Sequence, residues 1–189
     1  MALTPMVITA RLMKKEHPNA RIVFVGPCAA KKLEASRRSV RSEVDFVLTF
    51  EELQGMFDAK DIDFAALEPD ECDEDFSAGT GSGRGFAVVG GVASAVAEVI
   101  ARLDPTRHVD VEYGDGLREC RKMLTLAKAG KRNGYLLEGM ACPGGCVAGA
   151  GTITPVLNAT SNVRAYKAKA ERQNSLESEY VDRLKEVEE

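Results

Sequence analysis

The chain reads RIVFVGPC at residues 21–28, a short apolar run that stops at a glycine and a proline and continues into a cysteine. β-Branched and aromatic residues followed by Gly-Pro are typical of a buried strand that ends in a loop. Residues 44–48, VDFVL, form a second run of this kind. The sequence therefore predicts that Cys28 lies at the carboxyl end of a strand.

Helical patterns separate the predicted strands. Thr4–His17 has a possible N-cap ahead of Pro5 and apolar residues at helical spacing. Thr49 and Glu52 have the spacing of a capping box. Further helices are predicted at 29–36, 92–103 and 117–129, and further strands at 108–113 and 135–137. This alternation predicts an α/β fold, a mostly parallel β-sheet flanked by helices, with ligands at the carboxyl ends of its strands.

Residues 68–91 break this alternation. They contain an acidic run at Glu71–Asp75 and the glycine-rich sequence GTGSGRG at 79–85. No clear strand precedes these glycines and no P-loop Lys-Ser/Thr pair follows them, so we expect a mobile or ligand-covering loop rather than a nucleotide site. Beyond about Thr160 charged residues dominate. We predict a domain at 1–160 and a charged peripheral helix or tail at 161–189.

The composition excludes several classes of protein. The 189 residues are 44% hydrophobic and 29% charged, a globular balance. No apolar stretch reaches the roughly 18 residues of a spanning helix, and the N-terminus lacks the pattern of a secretory signal. We expect a cytoplasmic chain that does not bind a membrane. The net charge of -4 argues against a broad nucleic-acid surface.

The five cysteines differ in their surroundings. Their odd number and the lack of an export signal argue against a disulfide framework. Cys28, Cys142 and Cys146 lie among glycines and prolines, whereas Cys72 lies in an acidic stretch and Cys120 in a helical pattern. We expect Cys72 to be an exposed loop residue and Cys120 to be a small buried hydrophobe.

The sequence CPGGC at 142–146 brings two thiols together across a turn. We expect the turn to leave backbone N–H groups free to face the sulfurs, which stabilises thiolates and clusters. Lys31 and Lys32 follow Cys28 and offset thiolate charge, although both could equally belong to a solvated helix face. The three thiols are predicted to converge on a metal site. A C-x3-C pair alone is a weak signal, and zinc is an alternative, although the usual C-x2-C knuckle is absent.

Two longer motifs resemble those of FeFe (iron-only) hydrogenases. Residues 26–35, GPCAAKKLEA, resemble the second H-cluster motif, and residues 138–151, EGMACPGGCVAGAG, resemble the third. The similarity covers about residues 3–154. It implies two lobes of parallel sheet and helices around a buried H-cluster, in which a 4Fe-4S cubane is joined through a cysteine sulfur to a di-iron subcluster that bears CO and cyanide.

The resemblance also implies a role for individual residues. Cys28 and Cys142 resemble cubane ligands, and Cys146 resembles the cysteine that bridges to the di-iron unit. Lys31 resembles the lysine that contacts a cyanide of the distal iron, and Met140 the methionine near the bridging CO. A cation beside an anionic ligand in a dry pocket interacts far more strongly than a surface pair. The residues predicted to line the cofactor are Pro27, Ala29, Gly144 and Gly145.

The chain departs from the family pattern at three places. Gly26 stands where well-studied members have Met, and residues 149–153 read GAGTI where they read GGGQP. These changes indicate a divergent subgroup. The first motif, with the fourth cubane cysteine and the proton-transfer cysteine, is absent. We therefore expect a fragment that lacks the H-cluster and is inactive by itself.

The function implied for the parent protein is that of a ferredoxin-dependent FeFe hydrogenase, which catalyses reversible H2 oxidation and proton reduction. Its implied partners are a ferredoxin-like electron carrier and the H-cluster maturation proteins. An alternative is a hydrogen or redox sensor, or an iron-sulfur assembly protein with the same fold. Retention of Lys31 and of residues 140–146 favours a di-iron pocket over the assembly relatives. A third possibility is a non-catalytic α/β module with structural cysteines.

Overall fold

The computed structural model describes residues 3–38, 43–68 and 79–183. Helices and strands alternate through most of this range, as the sequence predicts. The elements are α1 (Pro5–Glu16), β1 (Val23–Val25), α2 (Ala30–Ser36), β2 (Phe46–Leu48), α3 (Phe50–Asp58), α4 (Gly81–Arg84), α5 (Gly91–Leu103), β3 (Val111–Asp115), α6 (Leu117–Lys128), β4 (Leu136–Met140) and α7 (Val156–Ala168). Short 3-10 turns lie at Phe64–Ala66, Gly85–Ala87, Cys146–Ala148 and Ser175–Glu177.

The described chain divides into two compact units. The first contains residues 3–38, 43–68, 149–153 and 182–183, and the second contains residues 79–148 and 154–181. Each unit has its own pair of strands, β1–β2 in the first and β3–β4 in the second. The boundary predicted at residue 160 stays a prediction, and α7 begins before it, at Val156.

Both strand pairs are parallel, which confirms the predicted α/β class. In the first unit Val23 pairs with Phe46 and Val25 with Leu48. The strands of the described residues form two separate two-stranded sheets in place of the single mostly parallel sheet predicted from the strand–helix alternation. Sequence periodicity identifies single strands, but it contains no information about which strands pair.

Caps and apolar faces explain the helices of the first unit. α1 begins at Pro5 after Thr4, and its apolar stripe buries three residues, Met6, Val7 and Ala10. The capping box predicted for α3 is present: the N–H of Glu52 donates to the Thr49 side chain, and the Glu52 carboxylate accepts the N–H of Thr49. Such a cap satisfies donors that a helix cannot pair internally.

Asp45 joins the start of β2 to the segment before β1. Its carboxylate accepts the N–H of Ile22 at 2.8 Å and lies 2.9 Å from Arg21 and 3.1 Å from Lys14. The N–H of Ile22, with the side chains of Arg21 and Lys14, lowers the pKa of Asp45 from 3.8 to about 2. The charged carboxylate is therefore favoured by the folded chain.

Two facing glycines allow α6 to pack closely on the second sheet. Gly114 of β3 and Gly139 of β4 are register partners, and Cys120 of α6 lies over them. A Cβ at Gly114 would lie 2.7 Å from the Cα of Cys120, and one at Gly139 would lie 3.2 Å from its Sγ. The thiol is half-buried rather than buried, with its Sγ 3.3 Å from the Gly114 carbonyl oxygen.

The glycine-rich sequence at 79–85 is packed, so the expectation of a mobile loop is wrong there. The Thr80 hydroxyl accepts the N–H of Gly83 and caps α4. The N–H groups of Gly81 and Ser82 donate to the carbonyls of Arg172 and Gln173, and Ser82 is only 1% exposed. These glycines serve close backbone approach rather than mobility. The acidic run Glu71–Asp75, with Cys72, lies outside the described residues.

Within the described ranges, every helix is too short or too polar to cross a bilayer.

Replacement of Asp45 by Asn should make the chain less sensitive to acid. The folded pKa is below the unfolded one, so the contribution of Asp45 is present above about pH 4 and is lost as the pH falls towards 2. Urea unfolding between pH 7 and pH 2 should show a smaller loss of stability for Asp45→Asn than for wild type. If the free energy of unfolding fell equally with pH in wild type and in Asp45→Asn, the acid sensitivity would not come from Asp45.

Replacement of Gly114 by Ala should lower the free energy of unfolding by about 1–3 kcal/mol, because the new methyl group would meet the backbone of α6. Gly55 in α3 is the control, since a Cβ there would meet no atom within 4 Å. Gly55→Ala should raise the free energy of unfolding by roughly 0.5–1 kcal/mol. If Gly114→Ala changed the free energy of unfolding in urea in the same direction and by the same amount as Gly55→Ala, the contact at Gly114 would not be tight.

Candidate metal centre

Cys28 lies three residues beyond the carboxyl end of β1, after Gly26 and Pro27, as predicted. The N–H of Gly26 donates to the Leu48 carbonyl at 3.0 Å, which continues the ladder, and the N–H of Lys31 donates to the Cys28 carbonyl at 3.2 Å. Cys28 is half-buried. A Cβ at Gly26 would lie 2.8 Å from Cε1 of Phe24, so the aromatic ring occupies the space that a side chain would need.

Residues 149–151 pack against the loop before Cys28. The N–H of Gly151 donates to the Pro27 carbonyl at 3.0 Å. A Cβ at Gly149 would lie 2.9 Å from the carbonyl carbon of Pro27, and one at Gly151 would lie 2.5 Å from Cγ2 of Thr49. The glycines of the sequence GAG at 149–151 therefore allow the chain to approach Pro27 and Thr49 closely.

Lys31 is half-buried and ion-paired. Its Nζ lies 2.6 Å from Oε2 of Glu34, and the other oxygen of Glu34 accepts the Thr4 hydroxyl at 2.5 Å. Burial alone would raise the pKa of Glu34. The hydrogen bonds from Lys31 and Thr4 lower this pKa by more than burial raises it, so its net shift is downward. The ammonium group of Lys31 therefore has a defined position, and its predicted contact with a cyanide stays a prediction.

Lys32, unlike Lys31, binds groups outside its own helix. Its Nζ donates to the Val47 carbonyl at 2.7 Å and to Oε2 of Glu52 at 2.8 Å. The pKa of Glu52 is lowered, chiefly by the hydrogen bond from Lys32. Lys32 thus connects α2 with β2 and α3, and its charge serves the fold.

Backbone conformation determines the shape of the Cys142–Cys146 loop. Gly144 and Gly145 have φ values of 97° and 96°, a region that other residues rarely adopt. The N–H of Gly145 donates to the Cys142 carbonyl at 2.9 Å and closes the turn. A Cβ at Gly145 would lie 2.7 Å from the Ala87 carbonyl oxygen, so glycine is required there for two reasons.

The expectation that this turn leaves its N–H groups free is wrong for both glycines. Gly145 uses its N–H to close the turn, and the N–H of Gly144 donates to Oδ1 of Asp115 at 2.6 Å. A tight turn at the end of a strand needs partners for its donors, and a carboxylate from the adjacent strand supplies one here. The sequence does not reveal this bond because the partners are 29 residues apart.

Glu138 is a buried carboxylate just before the loop. It is 8% exposed, and its two oxygens accept the N–H groups of Gly90 at 2.7 Å and Ala93 at 2.6 Å. These donors belong to the first turn of α5, where unpaired N–H groups and the helix dipole favour an anion. The sequence patterns assign Glu138 no role, although a glutamate inside an apolar strand suggests a buried partner.

Met140 ends β4 and pairs with Asp115 of β3. Its carbonyl accepts the N–H of Gly116 at 2.8 Å. With Val92, Val96 and Glu138, Met140 lines an apolar cavity of about 290 Å³ between α5 and β4. Its predicted place near a bridging CO stays a prediction.

The cysteines are of the residue type that binds iron-sulfur clusters. The four described cysteines form no disulfide, and Cys28, Cys142 and Cys146 are all half-buried at strand ends or turns. Thiolates are the ligands that iron-sulfur clusters take. Across residues 3–38, 43–68 and 79–183, however, no three His, Cys, Asp or Glu side chains are grouped so as to hold a metal ion. The ligand roles, like those of Pro27, Ala29, Gly144 and Gly145, stay predictions.

Known proteins resemble this chain in both sequence and fold. The family described as iron only hydrogenase large subunit, C-terminal domain, matches residues 1–150. The NADP-reducing hydrogenase subunit HndD of Solidesulfovibrio fructosivorans is 32% identical over 160 residues, which are 69% of this chain and 27% of that protein. The periplasmic Fe hydrogenase large subunit of Nitratidesulfovibrio vulgaris is 30% identical over 172 residues, which are 75% of this chain and 41% of that protein.

A solved structure shows the same fold. The apo FeFe-hydrogenase HydA1 of Chlamydomonas reinhardtii, in a variant form, matches with a TM-score of 0.66 and 22% sequence identity. The match covers 96% of this chain and 63% of that one. The chain thus spans less than half the length of the two relatives above and somewhat under two thirds of this structure.

Replacement of Glu138 by Ala should destabilise the chain by about 2 kcal/mol or more, because two N–H groups at the start of α5 would lose their acceptor in a buried place. Glu138→Gln should cost less, since one oxygen remains. Glu119→Gln, which breaks a surface pair with Lys122, is the control and should change stability by less than about 0.5 kcal/mol. If Glu138→Ala left the free energy of unfolding in urea unchanged, the two hydrogen bonds from Glu138 to the start of α5 would not stabilise the chain.

Proposed function

Because the chain belongs to the family formed by the C-terminal domains of iron-only hydrogenase large subunits, we propose that it forms part of the catalytic domain of an FeFe hydrogenase. The parent protein catalyses reversible H2 oxidation and proton reduction at an H-cluster. The observation that carries this proposal is the Cys142–Cys146 loop, in which Gly144 and Gly145 support a turn with a thiol at each end.

Three cysteines are the proposed protein ligands. Cys28 and Cys142 would hold the 4Fe-4S cubane, and Cys146 would connect it with the di-iron subcluster. A cubane usually takes four thiolates, so the fourth comes from a part of the protein outside these 189 residues. The cofactor, when bound, supplies the proton reduction and the path for electrons. Without the fourth ligand, the isolated chain is inactive.

The chain's own residues supply ligation, charge and the exclusion of water. Lys31 provides a cation for the anionic ligands of the di-iron unit, and Glu34, bound by Thr4, orients its ammonium group. A fixed charge costs no reorganisation when the ligand binds. Met140 and the residues Pro27, Ala29, Gly144 and Gly145 line the cofactor and separate it from solvent.

A ferredoxin-like electron carrier and the H-cluster maturation proteins are the proposed partners. The reaction consumes or releases electrons, so the parent protein requires a redox partner. The cytoplasmic location also stays a prediction, because one relative is by name periplasmic.

Cysteine substitutions in the full-length hydrogenase test the proposal. Cys28→Ser and Cys142→Ser should each lower H2 evolution and iron content, with activity falling by at least about 100-fold, because even changes beyond the ligands cost about 10- to 100-fold. Cys120→Ser is the matched control, since Cys120 packs on Gly114 and Gly139, and it should leave both quantities near wild type. Unchanged iron content in Cys142→Ser would favour structural cysteines.

A further inference from the structure

We propose that Asp115 is a positioning residue that fixes the conformation of the Cys142–Cys146 loop through the N–H of Gly144. Asp115 lies outside both motifs that resemble the hydrogenase family. Its Oδ1 accepts the Gly144 N–H at 2.6 Å, across 29 residues of sequence. The consequence for metal binding rests on the function proposed above, whereas the consequence for the loop does not.

The strand pair determines where the Asp115 carboxylate lies. Asp115 is the last residue of β3 and the register partner of Met140. The next residue, Gly116, donates its N–H to the Met140 carbonyl at 2.8 Å and has a φ of 87°. A Cβ at Gly116 would lie 3.3 Å from Cγ of Pro143. The end of β3 is therefore bound to the end of β4 and packs against the start of the loop.

The three residues between the two thiols have only two N–H groups, those of Gly144 and Gly145. Pro143 has no N–H to donate, and the N–H of Gly145 closes the turn onto Cys142. Gly144 has a φ of 97°, and glycine populates many other conformations at little cost. A bond from its N–H to the solvent-exposed carboxylate of Asp115 selects one of them.

The bond has a direct consequence for the two thiols. Cys142 and Cys146 are separated only by Pro143 and the two glycines, so the orientation of the Gly144 peptide helps to set how the thiols are presented. The bond also directs one N–H towards a carboxylate instead of towards a sulfur, and N–H donors to sulfur are among the features that tune clusters. Asp115 therefore acts on the ligands through the backbone and does not touch a cofactor itself.

Amide NMR of the 189-residue chain tests the effect on the loop. Asp115→Ala removes the acceptor, whereas Asp115→Asn keeps an amide oxygen that can accept the same N–H. In Asp115→Ala the Gly144 amide should exchange about tenfold faster or more, and the amide signals of residues 142–146 should shift. Asp115→Asn should stay close to wild type.

Asp110→Ala is the matched control, because Asp110 is an exposed carboxylate immediately before β3 and its side chain pairs with His108, outside the Cys142–Cys146 loop. It should leave the signals of residues 142–146 unchanged. The positioning role of Asp115 would be overturned if the amide signals of residues 142–146 in Asp115→Ala matched those of wild type. It would also be overturned if Asp110→Ala shifted those signals equally.

The consequence for metal binding is tested in the full-length protein, which supplies the fourth ligand proposed above. Its Asp115 variants are reconstituted anaerobically with iron and sulfide. Asp115→Ala should bind iron about fivefold more weakly than wild type, and Asp115→Asn should recover most of the loss. A shifted loop with unchanged iron binding would overturn the link to the metal centre. If the full-length wild type binds no iron at all, the proposed metal centre fails, while the amide signals of the 189-residue chain still decide the role of Asp115.

Discussion

The parallel hydrogen bonding of β3 with β4 is the constraint on which the second unit depends. Both strands run in one direction, so their carboxyl ends meet, and Asp115 becomes the partner of Met140. One strand then continues into α6 and the other into the Cys142–Cys146 loop. Because Gly114 faces Gly139, α6 can approach both strands, and the loop begins from a short but well-packed sheet. The geometry of the thiols is thus a consequence of backbone pairing several residues upstream.

Three charged groups hold backbone segments of this protein together. Glu138 binds the first turn of α5, Asp45 joins two segments of the first unit, and Lys32 links α2 with β2 and α3. Each charge meets N–H groups, a carbonyl or an opposite charge, which offsets the cost of removing it from water. Lys31 differs because its partner, Glu34, lies one turn away on the same helix. Its ion pair therefore stays within one helix and joins no distant elements.

Local patterns in the sequence predict the elements well, and distant contacts account for what they miss. The Thr49–Glu52 capping box, the helix after Pro5 and the strand before Cys28 depend on neighbours within four residues, and all three are confirmed. The glycines at 79–85 pack instead of forming a mobile loop because they meet the segment at 172–173, which lies far along the chain. For the same reason the sequence gives no sign of Asp115 or of the partners of Glu138. The cysteines themselves are identifiable because glycine and proline mark their turns.

The position of iron tests the proposed metal centre most directly. An anaerobic crystal structure of the full-length protein, with anomalous differences measured at the iron edge, would show which side chains ligate it. We predict iron peaks within bonding distance of the Sγ atoms of Cys28, Cys142 and Cys146, and none at Cys120. Iron bound elsewhere, or an iron cluster that leaves Cys142 and Cys146 without a metal contact, would contradict the proposed ligand set.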